Sequence, residues 1–436
     1  MFTVTTLINH LCSFLLMDIL TPRGMRDFSV QETFFRDSIF QLLQKHFVCY
    51  GFLPLDTPQV ERYDILSAKF AAGEGSDVMK EIFKFKDRGG RQLGLRFDLT
   101  VPLSRYVAMH PELKFPFKRS QIGRVYRDGP IRLGRVREFY QCDCDTVGSS
   151  SMLCEAELIC LAIDVFSSLG LSARIEVNNR KLMNALLDSF GIAKKEEAII
   201  IIDKLKKLSP KEFRGELSSI GISGSTADEI LSLFSTATLP QLKKMNINQE
   251  GVKELEELFS YLDSSVRRKV KLNLSLARGL AYYTGTVFEG FLTKGEMTSS
   301  VCGGGRYDNM IGLYAGKGAV SAVGISFGVE PIITVLSKKQ KTQLNLPLVY
   351  IVPIHTQKKS FFIAQKLRDC GISTSIDLIG RGVSKNLDYA HKMNIPYVVF
   401  VGEKEISSKK YKLRDMQSGK ERLLSLESLG SFLKKK

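Results

Sequence analysis

Residues 276–290 read LARGLAYYTGTVFEG. Arg278 heads the stretch, followed by a glycine and the adjacent tyrosines Tyr282 and Tyr283. A Thr-Gly-Thr turn then leads into Val287-Phe288-Glu289. A guanidinium is a fixed fork of donors that stays cationic, which suits a phosphate or a carboxylate. On a strand the two tyrosines face opposite sides, so one can line a pocket while the other packs behind it. The plainer alternative is an amphipathic strand with a surface arginine. Downstream, Ser300–Gly318 (SVCGGGRYDNMIGLYAGKG) reads as a glycine-rich turn whose backbone can approach a ligand closely. It lacks the spacing of a P-loop. Ala319–Leu336 reads as a strand entering a helix.

Upstream, residues 117–148 read FKRSQIGRVYRDGPIRLGRVREFYQCDCDTVG. Strand-like runs at Gln121–Tyr126 and Glu138–Val147 flank a loop that carries Arg127, Arg132 and Arg135, with Arg137 at its exit. Such a hairpin can set Arg127 on an anion, stack Phe139 on a flat ring and lay its basic loop along a nucleic-acid backbone. A solvent-exposed basic hairpin is the alternative. Gln141 and Asp145 are four apart on the strand and share a face. Short strands at Ile82–Phe85 and Leu93–Phe97 cross an Asp-Arg-Gly-Gly turn and end at Asp98-Leu99-Thr100. A carboxylate beside a hydroxyl there suits an ammonium group, or caps a helix over Val101–Ala108. Gln31–Tyr50 repeats Phe34, Phe35, Ile39, Leu42, Leu43 and Phe47 at helical spacing, and Pro54 and Pro58 keep the next stretch extended.

Taken together, these stretches resemble the histidyl-tRNA synthetases. LARGLAYYTGTVFEG is similar to their RGLDYYTGTVFE signature. The VYR and REFYQ runs resemble the second class II motif in its histidyl form. The Gln31–Tyr50 helix with its Pro58 strand resembles the first motif, and Ala319–Leu336 the third. The likeness runs from about Leu20 to the C-terminus. It implies an α+β fold: a class II antiparallel-sheet core with a helical insertion, plus a C-terminal α/β anticodon-binding domain. The activity implied is ATP-dependent ligation of L-histidine to tRNA(His) through a histidyl-adenylate, with Mg2+ arriving on ATP, in a cytoplasmic homodimer that pairs through the first motif.

The resemblance also implies roles. Arg127 and Arg278 would be catalytic, meeting both the α-phosphate and the substrate carboxylate. Asp98 and Thr100 would hold the amino group. Gln141, Asp145, Tyr282 and Tyr283 would shape the histidine pocket, with Asp145 accepting a ring N–H. Phe139 would stack on adenine, and no protein ligand set for a metal is implied. Three positions depart from the family pattern. Gly129, beside Asp128, replaces a glutamate; Ala281 replaces an aspartate; Pro331 after Glu330 replaces the arginine that meets the γ-phosphate. They leave open a synthetase-like paralogue that binds histidine or RNA without aminoacylation. A regulatory subunit of histidine biosynthesis is a further alternative, although such relatives generally lack the C-terminal domain and the Arg-Gly-Leu signature.

Composition bounds the rest. A chain of 436 residues holds two or three domains, and 44% hydrophobic with 25% charged content is ordinary for a globular protein. A net charge of +16 favours a polyanionic partner, nucleic acid before lipid. The eight cysteines form no CxxC pair, so Cys142 and Cys144 read as small core residues and the thiols as reduced. Residues 1–17 form an apolar extension, too short to span a bilayer. It is either a weak targeting segment or a consequence of start choice, Met17 standing just before the family-like TPRGMRDF; the second is preferred. The core is expected over 18–336, its insertion over about 194–270 and a linker over 337–345. An α/β domain with a mainly parallel sheet is expected over 346–436. From Leu344 onward 17 basic residues outnumber 8 acidic ones.

Overall fold

The computed structural model describes residues 19–68, 77–131, 136–277, 283–316, 318–339 and 347–436. Outside them lie Arg132, Arg135, Arg278, Ala281, Tyr282, the 1–17 segment and most of the 337–345 linker. The chain divides into two compact units, Met1–Lys339 and Gln340–Lys436.

The first unit is built on a sheet with eight strands among the described residues. They are β1 (Leu53–Pro54), β5 (Phe117–Tyr126), β6 (Glu138–Val147), β7 (Ala173–Asn179), β8 (Val270–Leu272), β9 (Thr286–Leu292), β10 (Cys302–Arg306) and β11 (Ala322–Gly328), ordered β1-β5-β6-β11-β10-β9-β7-β8. The interior pairings are antiparallel, and the edge pairs β1–β5 and β7–β8 are parallel. Three short strands, β2 (Val60–Arg62), β3 (Lys84–Lys86) and β4 (Gln92–Leu95), make a separate small sheet.

Side-chain alternation gives the large sheet two chemically different faces. Cys142 and Cys144 of β6, Val323, Ile325 and Phe327 of β11, Ile175 and Val177 of β7 and Phe288 of β9 join one buried core. The Val30–Cys49 and Leu153–Ser168 helices cover that face. Phe47 of the first and Phe166 of the second bring their rings within 5.7 and 5.9 Å of Phe327. The first helix opens on a capping box: Ser29 Oγ accepts from the Glu32 N–H, and Glu32 Oε2 accepts from the Ser29 N–H. The opposite face carries the polar residues Gln141, Asp143 and Asp145 of β6, Ser326 of β11, Glu289 of β9 and Glu176 of β7.

The expected turn at Ser300–Gly318 is corrected here. Cys302–Arg306 is a central strand, and Asp308–Ala315 is a helix. Glycine has little strand preference of its own, but two neighbouring strands pair with β10 along its length and impose the conformation. Residues 194–270 fold as six helices, from Lys195–Ile202 to Ser264–Arg267. The described residues contain no helix long and apolar enough to cross a membrane.

The second unit holds β12 (Val349–Pro353), β13 (Thr374–Ile376), β14 (Tyr397–Val401), β15 (Tyr411–Asp415) and β16 (Glu421–Leu424), ordered β13-β12-β14-β15-β16. β12 runs parallel to β13 and β14, but β15 and β16 are antiparallel. The expectation of a mainly parallel sheet therefore gives way to a mixed one. The added hairpin buries Tyr411 and Leu413 and turns Lys412 and Arg414 outward, a period of two inside a basic run.

Candidate active site

The polar face of the large sheet floors a cavity of about 890 Å3. Asp98, Thr100, Arg127, Gln141, Asp145 and Tyr283, from separate segments of the chain, all line it. Asp98 is buried, and its Oδ1 accepts from the Val101 N–H at 2.9 Å, so it caps the Thr100–Met109 helix while facing the cavity. Arg127 stands just past the end of β5. Its Nε donates to the Phe97 carbonyl at 3.2 Å and its guanidinium lies 5.0 Å from the centroid of the Phe139 ring. Phe139 begins the β6 face that continues through Gln141, Asp143 and Asp145.

Asp145 is tied to two residues that sequence reasoning missed. Its Oδ1 accepts from the Tyr307 hydroxyl at 2.5 Å, and Arg119 Nη2 lies 2.9 Å from its Oδ2. The register explains the second contact, because Arg119 stands directly opposite Asp145 across β5–β6. Arg119 is fully buried, which works against its charge, but Asp145 and Asp143 together hold it cationic. Burial pushes the Asp145 acid up; Arg119 and the Tyr307 hydrogen bond oppose that. Asp143, midway between Gln141 and Asp145, also lines the cavity. Burial pushes it up to about 7, with Arg119 opposing and Asp145 adding. Its spacing in the sequence, two residues from each flagged neighbour, already placed it on their face.

At the far end of the cavity the insertion meets the sheet. Glu176 accepts from Lys206 at 2.8 Å, Asn273 at 2.7 Å and Arg174 at 3.1 Å. Asp203 Oδ1 accepts from the Ala277 N–H at 3.0 Å, one residue before Arg278.

A histidyl-tRNA synthetase family model matches residues 24–332, and an anticodon-binding domain model matches 348–436. The chain belongs to the histidyl-tRNA synthetase family. It is an aminoacyl-tRNA synthetase. Histidine--tRNA ligase 1 of Bacillus anthracis is 40% identical over 96% of this chain and 100% of its own length. Histidine--tRNA ligase 2 of Shouchella clausii is 38% identical over 93% and 97% respectively. The crystal structure of histidyl-tRNA synthetase from Nostoc sp. PCC 7120 superimposes with a TM-score of 0.83 at 28% identity, covering 96% of this chain and 99% of that one.

Two of the three departures from the synthetase pattern can be seen in the fold. A Cβ added at Gly129 would lie 2.5 Å from Glu81 Oε1, so the Glu81 carboxylate already fills the space beside that position. Asp128, the sequence-level candidate for the missing contact, is instead 2.9 Å from Arg137 Nη1. Pro331 sits in the first turn of the Val329–Lys339 helix, where a missing N–H costs nothing. Glu330 before it accepts from the Tyr140 N–H at 3.0 Å and so fastens that helix to β6. Ala281 lies outside the described residues.

Proposed function

We propose that this synthetase ligates L-histidine to tRNA(His) in two steps. The histidine carboxylate attacks the α-phosphate of ATP, giving histidyl-adenylate and pyrophosphate. The 3′-terminal ribose hydroxyl of the tRNA then takes the acyl group and AMP leaves. The protein's part is to position the reactants and to stabilise charge as it develops. Arg127 and Arg278 are assigned to the α-phosphate and carboxylate, Phe139 to adenine, and Asp98 and Thr100 to the amino group. Gln141, Asp145, Tyr282 and Tyr283 are assigned to the histidine pocket. Mg2+ would neutralise phosphate charge and would come in on ATP.

The observation that carries this reading is the shared cavity wall. Carboxylates for an ammonium and arginine for anions meet there from segments far apart in the chain. The excess of basic residues after Leu344 supports RNA contact by the second unit. A homodimer through the first motif is supported by apolar surface left open there: Val30 is 79% exposed, Leu53 62% and Phe34 45%. The cytoplasm, where tRNA is charged for translation, is the compartment proposed.

Exchange of labelled pyrophosphate into ATP tests the first step. It should require histidine, and Arg127→Ala should slow it by roughly 10²–10³-fold, the usual loss of one positioned donor. A folded chain that binds histidine but gives no exchange would overturn the enzyme mechanism and leave a binding paralogue.

A further inference from the structure

Asp143 has no role in the assignments above, yet it is built as a contact. It is 4% exposed, lines the cavity, and its Oδ1 has no hydrogen-bond partner. Ser326 on β11 stands directly opposite in the register and works against the upward push of burial on the Asp143 acid, and Gln141 Nε2 donates to the Ser326 hydroxyl at 3.2 Å. This chain of donors leaves a second vacancy on the same face, Gln141 Oε1. Two buried acceptors without donors, side by side on a cavity wall, are costly unless something supplies N–H groups. Asp145 Oδ2 is a third such acceptor: Tyr307 donates to Oδ1, while Arg119 Nη2 lies 2.9 Å from Oδ2 as an ion pair without completing a hydrogen bond. Asp98, on the same cavity wall, adds its negative charge to those of Asp143 and Asp145, and Arg119 forms an ion pair with Asp145 at 2.9 Å. The surplus is negative, which selects a cationic donor.

We propose that Asp143 is a specificity-determining contact for the amino acid, its Oδ1 accepting an N–H of bound histidine. The donor is either the α-ammonium or the imidazole ring; both offer the same chemistry to the carboxylate. The inference rests on the histidine-activating reading and adds to it a residue between Gln141 and Asp145.

The test uses the full chain. Asp143→Asn keeps the shape and reverses part of the hydrogen bonding; Asp143→Ser is the second variant should the first not fold. Expected is a rise of roughly 10- to 100-fold in KM for histidine in pyrophosphate exchange, with KM for ATP and kcat little changed. Calorimetric titration with two analogues then names the donor. If the ammonium is the donor, imidazolepropionate, which lacks it, binds wild type and variant alike. If the ring is the donor, β-(2-thienyl)alanine, which lacks the ring N–H, shows no difference. Equal losses for histidine and both analogues would mean a structural role and overturn the proposal, as would variants within twofold of wild type for histidine. Absence of exchange in the wild type would instead count against the activation reading itself.

Discussion

Asp143 and Asp377 are both aspartates sealed from water, one in each unit, and the protein treats them in opposite ways. Asp377 follows β13 and has a full set of donors. Its Oδ1 accepts from the Ile379 N–H at 3.1 Å and from Arg381 Nη1 at 3.0 Å; its Oδ2 accepts from the Arg381 N–H at 2.6 Å and from Asn386 Nδ2 at 3.3 Å. Burial pushes its acid up, but these donors outweigh burial and hold it below the usual carboxylate range. Asp143 is pushed up to about 7 by burial, with no comparable set of donors to offset it. Burial alone therefore does not settle what a buried carboxylate is for. The count of donors separates one that organises a loop from one that waits for a ligand.

The contrast can be broken most directly at Asp377. Asp377→Ala strands the Ile379 and Arg381 N–H groups and releases the Arg381 guanidinium, and should cost about 2–3 kcal/mol of stability in chemical denaturation. A change inside experimental error would mean that the loop re-forms its bonds to water and that Asp377 is no hub. Asp143→Asn should act with the opposite sign on the ligand-free chain, raising stability by about 1 kcal/mol as a surplus buried charge is removed. A lower melting temperature would assign Asp143 to structure.

The same contrast runs through the pH dependence. An unfolded aspartate titrates near 4. Asp143 in the folded chain holds its proton to about 7, so between roughly pH 4 and 7 the native state binds more protons than the unfolded one and stability falls as pH rises. For Asp377 the shift is downward, so its contribution is complete above about pH 4 and is lost as pH falls through the acid range. The gap between wild type and Asp143→Asn should therefore open from pH 4 to pH 7. The gap between wild type and Asp377→Asn should close on acidification below pH 4. Both are read from denaturation curves across pH.

What could be read from the sequence was whatever depends on local order. The β6 face, the Asp98 cap and the Pro331 helix start follow from spacing along one segment. The Arg119–Asp145 pair depends on which strand lies opposite which, and the sequence does not state that register. The Tyr307 contact is longer in range still, joining residues 162 apart. CGGGR was misread because glycine carries no strand signal; only the pairing of its neighbours makes it a strand. Glu81 escaped notice for a similar reason, since its carboxylate reaches Gly129 from another part of the fold.

The bare backbone of β10 and β11 sets how this enzyme can vary. A methyl group at Gly324 would run into Asp145 Oδ1, and one at Gly305 would come within 2.6 Å of the Thr286 carbonyl and 2.9 Å of the Tyr283 ring. Drift at these positions is closed in both directions: no larger residue fits, and nothing smaller exists. A lineage, or an engineer, seeking to admit a different amino acid would have to change the walls of the cavity, because its floor has no room to move.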